Sequence, residues 1–330
     1  MNIGLIDVDG HHFPNLALMK LSSHHKQIGD NVEWWNPSVH YDLIYMSKVF
    51  SNEYSPDIPD PANADKIIRG GSGYAIGLAD GQETYNKSND PDLTEAEHIY
   101  PDYSLYPELT GYGQTKKHQT AYGFLTRGCP CGCGFCHVGS KEGCRTVEWS
   151  PLSEFWDGQG TICLLDPNIL ACKNREHLLD GLIASGANVN FTQGLDARLI
   201  NTDSIAEKLA QIKMERTPPH FAMDNMGDIE RVADGISRYR EAYKRLHENR
   251  WNWRKCNAFV LTNFDTTHEQ DMLRVEKLRE CECHPYIMIY NKPSAPKITR
   301  RLQRYCNWMP YYAKYPTFQA YQQAEYKYTL

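Results

Sequence analysis

Twelve residues constrain this chain more than any others: Thr126-Arg-Gly-Cys-Pro-Cys-Gly-Cys-Gly-Phe-Cys-His137. They follow an apolar lead-in, Tyr122-Gly-Phe-Leu125, that reads as a buried strand. Cys129, Cys133 and Cys136 stand at C-x3-C-x2-C spacing, with Phe135 just before the last. A loop of this kind can turn three thiolates onto one soft metal centre. Three protein ligands would leave one iron of a four-iron cluster open, and an open coordination position is where chemistry occurs. Two other readings use the same residues. Zinc prefers four ligands, and Cys131, His137 or Cys144 could supply the fourth. Alternatively the cysteines are unligated core thiols.

Eleven cysteines, an odd number with one tight local cluster, do not read as a secreted disulfide framework. With no apolar run of membrane-spanning length and no signal-peptide pattern, a cytoplasmic protein without membrane contact is expected. The net charge of −6 gives no basic footprint, so general nucleic-acid binding has no support from composition. At 330 residues, 41% of them hydrophobic, the chain suits one large α/β domain with a small appendage.

The first part alternates strands with a helix. Ile3–Ile6, Val32–Trp35, Asp42–Met46 and Lys66–Arg69 read as strands. A helix between the first two starts near Pro14, buries Leu16, Leu18, Met19, Leu21 and Ile28, and stops at Gly29. This order predicts a small parallel sheet of Rossmann type over residues 1–78. Residues 79–119 carry turn chemistry with little periodicity and read as an irregular linker. Beyond the cysteine loop, strands are expected at Thr161–Leu165, Val189–Phe191, His220–Met223, Ala258–Leu261 and Tyr286–Tyr290. Helical patterns separate the later ones: Glu176–Ser185, a helix capped by Thr202, Asp228–His247 and His268–Cys281. With the strand at 122–126 they make six βα units, hence a parallel sheet or barrel over 120–299, with ligands at the C-terminal strand ends.

At the cysteine loop the sequence resembles the radical S-adenosyl-L-methionine (SAM) superfamily, and its Arg-Gly-Cys-Pro and Cys-His-Val-Gly139 are similar to the Fe-S oxidoreductase subgroup. The resemblance implies a partial (β/α)6 barrel. It implies a metal-binding site in which Cys129, Cys133 and Cys136 hold a 4Fe-4S cluster. It also implies reductive cleavage of SAM to a 5′-deoxyadenosyl radical, which abstracts hydrogen from a substrate that remains unknown. An electron donor such as a flavodoxin or ferredoxin would be the partner. By the same resemblance Asp166 and Asn168 receive the SAM amino group, and Arg198, in Gln193-Gly-Leu-Asp-Ala-Arg198, holds a carboxylate. Asp196 is either a contact or a structural partner of Arg198. Asp224 and Asn225 touch the ribose, or cap a helix, and Asn263 touches adenine or the methionine part. Gln193 and Phe135 complete the cofactor-binding set.

The N-terminal part resembles a shortened cobalamin-binding domain through Asp9 and His11, Ser47-Lys-Val49 and Gly70-Gly71, but Pro14 replaces the motif's glycine. A corrinoid is therefore not expected, and Asp9 and the His pairs at 11–12 and 24–25 read as loop or solvated residues. A radical methyltransferase or an RNA-modifying enzyme is the alternative activity, and a zinc-stabilised binding module the non-enzymatic one. Two other features are read as structural. The run Arg238, Arg240, Lys244, Arg245, Arg250, Arg254 and Lys255, with Trp251 and Trp253, is a wet helix face before it is an RNA patch. The aromatic tail, 300–330, packs on the barrel.

Overall fold

The structure, a computed structural model, describes residues 1–326 except His11, Asp80, Gly81, Asp92 and Glu215, so His11 lies outside the described residues. It is mixed α/β with parallel sheets and divides into two compact units, Met1–Asn174 and Arg175–Leu330. The division falls within the 120–299 stretch.

The first unit opens with β1 (Asn2–Asp7), α1 (Leu16–Gln27), β2 (Asn31–Trp34), β3 (Leu43–Ser47) and β4 (Ile67–Gly70). These strands form a parallel sheet in the order β2-β1-β3-β4. Alternate residues feed two cores. Ile3, Leu5, Leu43 and Tyr45 meet Leu18 and Leu21 of α1 on one face, and Ile6, Ile44 and Met46 meet Tyr41 on the other. Burial on both faces is what a parallel sheet requires. The helix begins at Leu16, two residues after Pro14. Asn15 is its cap, accepting a hydrogen bond from the Leu18 amide at 3.2 Å, and Ile28 is 62% exposed beyond its end. Asp9 and His25 are buried, not solvated. The Asp9 carboxylate accepts hydrogen bonds from the Val49 and Phe50 amides, while His25 lies between Asp30 and Tyr45.

The stretch after β4 is more ordered than its composition suggests. It contains an antiparallel hairpin, β5 (Ile76–Ala79) with β6 (Gln82–Tyr85), and several single helical turns. Strand β7 (Thr120–Gly123) then leads into the cysteine loop, which is bracketed by a short antiparallel ribbon, β8 (Thr126–Arg127) with β9 (Val147–Glu148). Inside the loop lies one short helix, α2 (Val138–Glu142). Parallel to β7 runs β10 (Thr161–Leu164), with Leu164 opposite Gly123.

The second unit contains α3 (Arg175–Ser185), β11 (Asn188–Phe191), α4 (Asp203–Gln211), β12 (His220–Ala222), α5 (Ile229–Leu246), β13 (Asn257–Thr262), α6 (His268–Glu280), β14 (His284–Ile289), α7 (Lys297–Asn307), α8 (Met309–Lys314) and α9 (Phe318–Glu325). Strands β12, β13 and β14 form a parallel sheet. Thr202 caps α4 through the Ile205 amide, as its sequence position suggests. The aromatic tail is a packed structure: Tyr305, Tyr312, Phe318 and Tyr321 are buried, and Asn307 fastens α7 to the Ile287 amide of β14 at 2.7 Å. The basic run on α5 is largely neutralised. Arg238 pairs with Asp234, Arg240 and Lys244 with Glu241 and Glu282, and Arg245 with Glu207. Trp251 packs on Tyr239 and Tyr243, and Trp253 on His284 and Tyr312. These contacts make it a solvated face with a packed aromatic end.

Candidate metal centre and the strand ends around it

The base of the cysteine loop is closed by contacts that involve none of its thiols. Beyond the β8–β9 ribbon, the Cys129 amide donates to the Gly143 carbonyl at 3.1 Å, and the Thr146 hydroxyl to the Gly128 carbonyl at 3.0 Å. Glu142 accepts from Arg127 at 2.9 Å and from the Gly128 amide at 3.1 Å. Arg127 also lies over the Phe124 ring, 3.5 Å from its centre. Gly128 is at φ +82°, and a Cβ there would stand 2.1 Å from the Arg145 carbonyl oxygen, so only glycine fits.

Within this frame Cys129 and Cys131 are partly buried, and Cys133, Cys136 and Cys144 are exposed. The Cys136 amide donates to the Cys133 carbonyl at 3.0 Å, which puts these two cysteines in one turn. Phe135 between them is half-buried. Among the described residues no group of three or more His, Cys, Asp or Glu side chains is already gathered as a metal site. The donor set nevertheless suits an iron–sulfur cluster: accessible thiols lie on one loop, and an amide donor is directed at its sulfurs.

That amide belongs to Asn168, after β10. Its Nδ2 lies 3.8 Å from Cys129 Sγ and 3.6 Å from Cys131 Sγ. Two residues earlier, Asp166 accepts hydrogen bonds from the Leu125 amide at 3.1 Å and from the Thr126 amide and hydroxyl at 2.5 and 2.6 Å. Asp166 therefore clamps the entry to the cysteine loop. Its oxygens are committed to backbone and hydroxyl, which gives it a positioning role.

Burial pushes the Asp166 carboxyl up to about 6, against the hydrogen bonds from Thr126 and Leu125. An ordinary aspartate titrates near about 3.9, so the folded chain holds this proton more tightly than the unfolded one. The stabilisation is complete below about pH 4 and is lost as pH rises towards 6, at about 1.4 kcal/mol per unit. Asp166→Asn removes the titration. Unfolding free energies at several pH values between 4 and 7 should differ less in the variant, and an unchanged slope would refute this assignment.

In the second unit the nominated residues fall into two classes. Arg198 is engaged from both sides, by a two-pronged contact to Asp196, both bonds at 2.8 Å, and by Asp228 at 2.7 Å. The structural partnership of Asp196 and Arg198 is thus present. Asn225 caps a helical turn through the Gly227 amide at 2.8 Å. Asp224 accepts from the Leu261 amide at 2.8 Å, and burial raises its pKa. Gln193 is exposed in the turn after β11. Asn263 adopts φ 62° and donates to the Tyr290 carbonyl at 2.8 Å, joining the ends of β13 and β14. A non-glycine residue in this backbone region costs energy and recurs at functional sites.

Two groups escaped the sequence reading. In the sequence Thr126 reads only as the loop's first residue, although its hydroxyl completes the Asp166 clamp. Arg274 on α6 is fully buried with Asp271. Their signal was present: 271, 274, 275 and 278 share one helical face, so two charged residues lie on an apolar stripe.

No protein-family model and no curated protein sequence matches the chain. Among the described residues no helix is long and apolar enough to cross a membrane.

Proposed function

We propose that this chain is a radical SAM enzyme whose cluster is held by Cys129, Cys133 and Cys136. The observation that supports it best is the convergence of two parallel strand ends in the first unit. One end, β7, leads into the cysteine loop, and the residues leaving β10 return to that loop as the Asp166 clamp and the Asn168 amide. Bound there, a 4Fe-4S cluster would supply the electron that cleaves SAM to methionine and a 5′-deoxyadenosyl radical.

The chain's own contribution is positional. Asp166 fixes the loop entry, and the β8–β9 ribbon fixes its two ends. Asn168 donates to the Cys129 and Cys131 sulfurs, and hydrogen bonds to cluster sulfurs tune the reduction potential. The Cys136 amide to Cys133 carbonyl bond places these two cysteines in one turn. Arg198 would serve a ligand carboxylate by exchanging Asp228 for it, because both of its flanks are occupied.

Anaerobic reconstitution with iron and sulfide, followed by dithionite and SAM, tests the reading by chromatography for 5′-deoxyadenosine. The wild type should form it, and Cys133→Ala should fall to the background of a protein-free control. A colourless protein carrying one tightly bound zinc would sink the proposal in favour of a structural metal.

A further inference from the structure

A second concave site lies in the first unit, among the loop leaving β1, the end of β2 and the helical turn at 107–110. It is a cavity of about 410 Å³, within the usual range for small-molecule sites. It opens at the C-terminal ends of a parallel sheet, where open α/β folds place their ligands.

Three aromatic rings dominate its lining: Phe13, Trp34 and Tyr106. Trp34 and Tyr106 stand almost perpendicular, with centroids 5.2 Å apart and planes at 77°. Phe13 is held edge-on by Tyr122 at 5.2 Å. Despite their size Phe13 and Trp34 are 45% and 39% exposed, so they present ring surface to the cavity mouth. Large apolar rings left open to water mark a binding surface more often than a packing defect.

Among the described lining residues Glu108 carries the carboxylate, and Asp7, which is not one of them, accepts a hydrogen bond from the Tyr106 hydroxyl at 2.7 Å. Burial and Asp7 both raise the Tyr106 pKa, so the phenol stays a donor and its ring gains electron density from the carboxylate behind it. Among the described residues that line it there is no Lys or Arg, and His12, at φ 56°, stands beside the rings.

From the perpendicular rings and the Glu108 carboxylate at their edge we propose that this cavity binds a small alkylammonium cation. Ring faces attract a cation through their quadrupole, and quaternary ammonium groups are recognised by such aromatic walls. A neutral molecule of the same shape would gain only apolar contact. An anion would meet Glu108.

The chain can be tested without iron or SAM, so the result is independent of the cluster. Choline is the probe, with 3,3-dimethylbutan-1-ol as its uncharged isostere, and binding is followed by saturation-transfer NMR on the methyl groups and by calorimetry. Choline should bind saturably, be displaced by tetramethylammonium, and bind about ten-fold more tightly than the alcohol. Trp34→Leu should weaken choline about ten-fold, while Trp308→Leu, a similarly exposed tryptophan outside the cavity, should leave it unchanged. If Trp34→Leu does not fold, Phe13→Leu gives the same comparison. Equal binding of choline and the alcohol would overturn the proposal, as would a choline signal that does not saturate.

Discussion

Arg274→Met should lower the unfolding free energy by about 3–5 kcal/mol, the usual cost of leaving one member of a buried ion pair without its partner. Arg274 has no exposed surface. One Nη donates to the Met223 and Asp224 carbonyls, each at 3.0 Å, and the other reaches Thr266 and Asp271. The side chain therefore joins the end of β12 to the start of α6. Burial raises the Asp271 pKa, opposed by hydrogen bonds from Thr266 and Arg274, and without Arg274 that carboxylate loses its cation. Arg274→Lys keeps the charge but not the fork, so it should fall between the wild type and the Met variant. Arg274→Met combined with Asp271→Leu should recover more than half of the loss, because an apolar pair is often as good as a buried ionic one. Guanidinium unfolding measures all four proteins. A loss below about 1 kcal/mol for Arg274→Met would contradict the fully desolvated pair.

Gly128→Ala should act on the cysteine loop with comparable force. Two costs combine: about 1–2 kcal/mol for an alanine in the left-handed region, and about 1–3 kcal/mol for the collision with the Arg145 carbonyl. Gly132 is the internal control. It is also left-handed, at φ +59°, but a Cβ there meets nothing within 4 Å. Gly132→Ala should therefore show the strain without the collision. Iron and sulfide content after reconstitution should drop sharply for Gly128→Ala and only slightly for Gly132→Ala. Equal iron loading in both variants would mean that the loop base does not govern metal uptake.

Much of the strand framework could be read from the sequence, because Ile, Val, Leu and aromatic runs at Ile3, Leu43, Thr161 and Asn257 state their own burial. Thr202 was readable for the same reason: a cap acts on amides two or three residues away. What escaped was long-range polar pairing. Asp9 looks like a loop residue until β3 brings the Val49 and Phe50 amides to it. Arg198 looks available until Asp228, thirty positions on, occupies its second flank. The hairpin at 76–85 was hidden because its partners are short and flanked by Gly and Asp, which carry a turn signal but little strand signal. The cysteine spacing identified the loop, but not its clamp, since Asp166 reaches forty residues back to Thr126.

The ribbon at the base of the cysteine loop has a consequence for how the loop is held. Many small metal sites exist only once the ion has drawn distant ligands together, so that uptake and folding are one event. Here β8 and β9 join the ends of the loop by backbone pairing that uses no thiol, so contacts outside the thiols help meet the loss of chain freedom on closing the segment. A metal held there, as proposed above, would order only the interior of the loop. On that reading, closing the loop and holding the metal are separate tasks, the first done by backbone pairing and the second by the thiols.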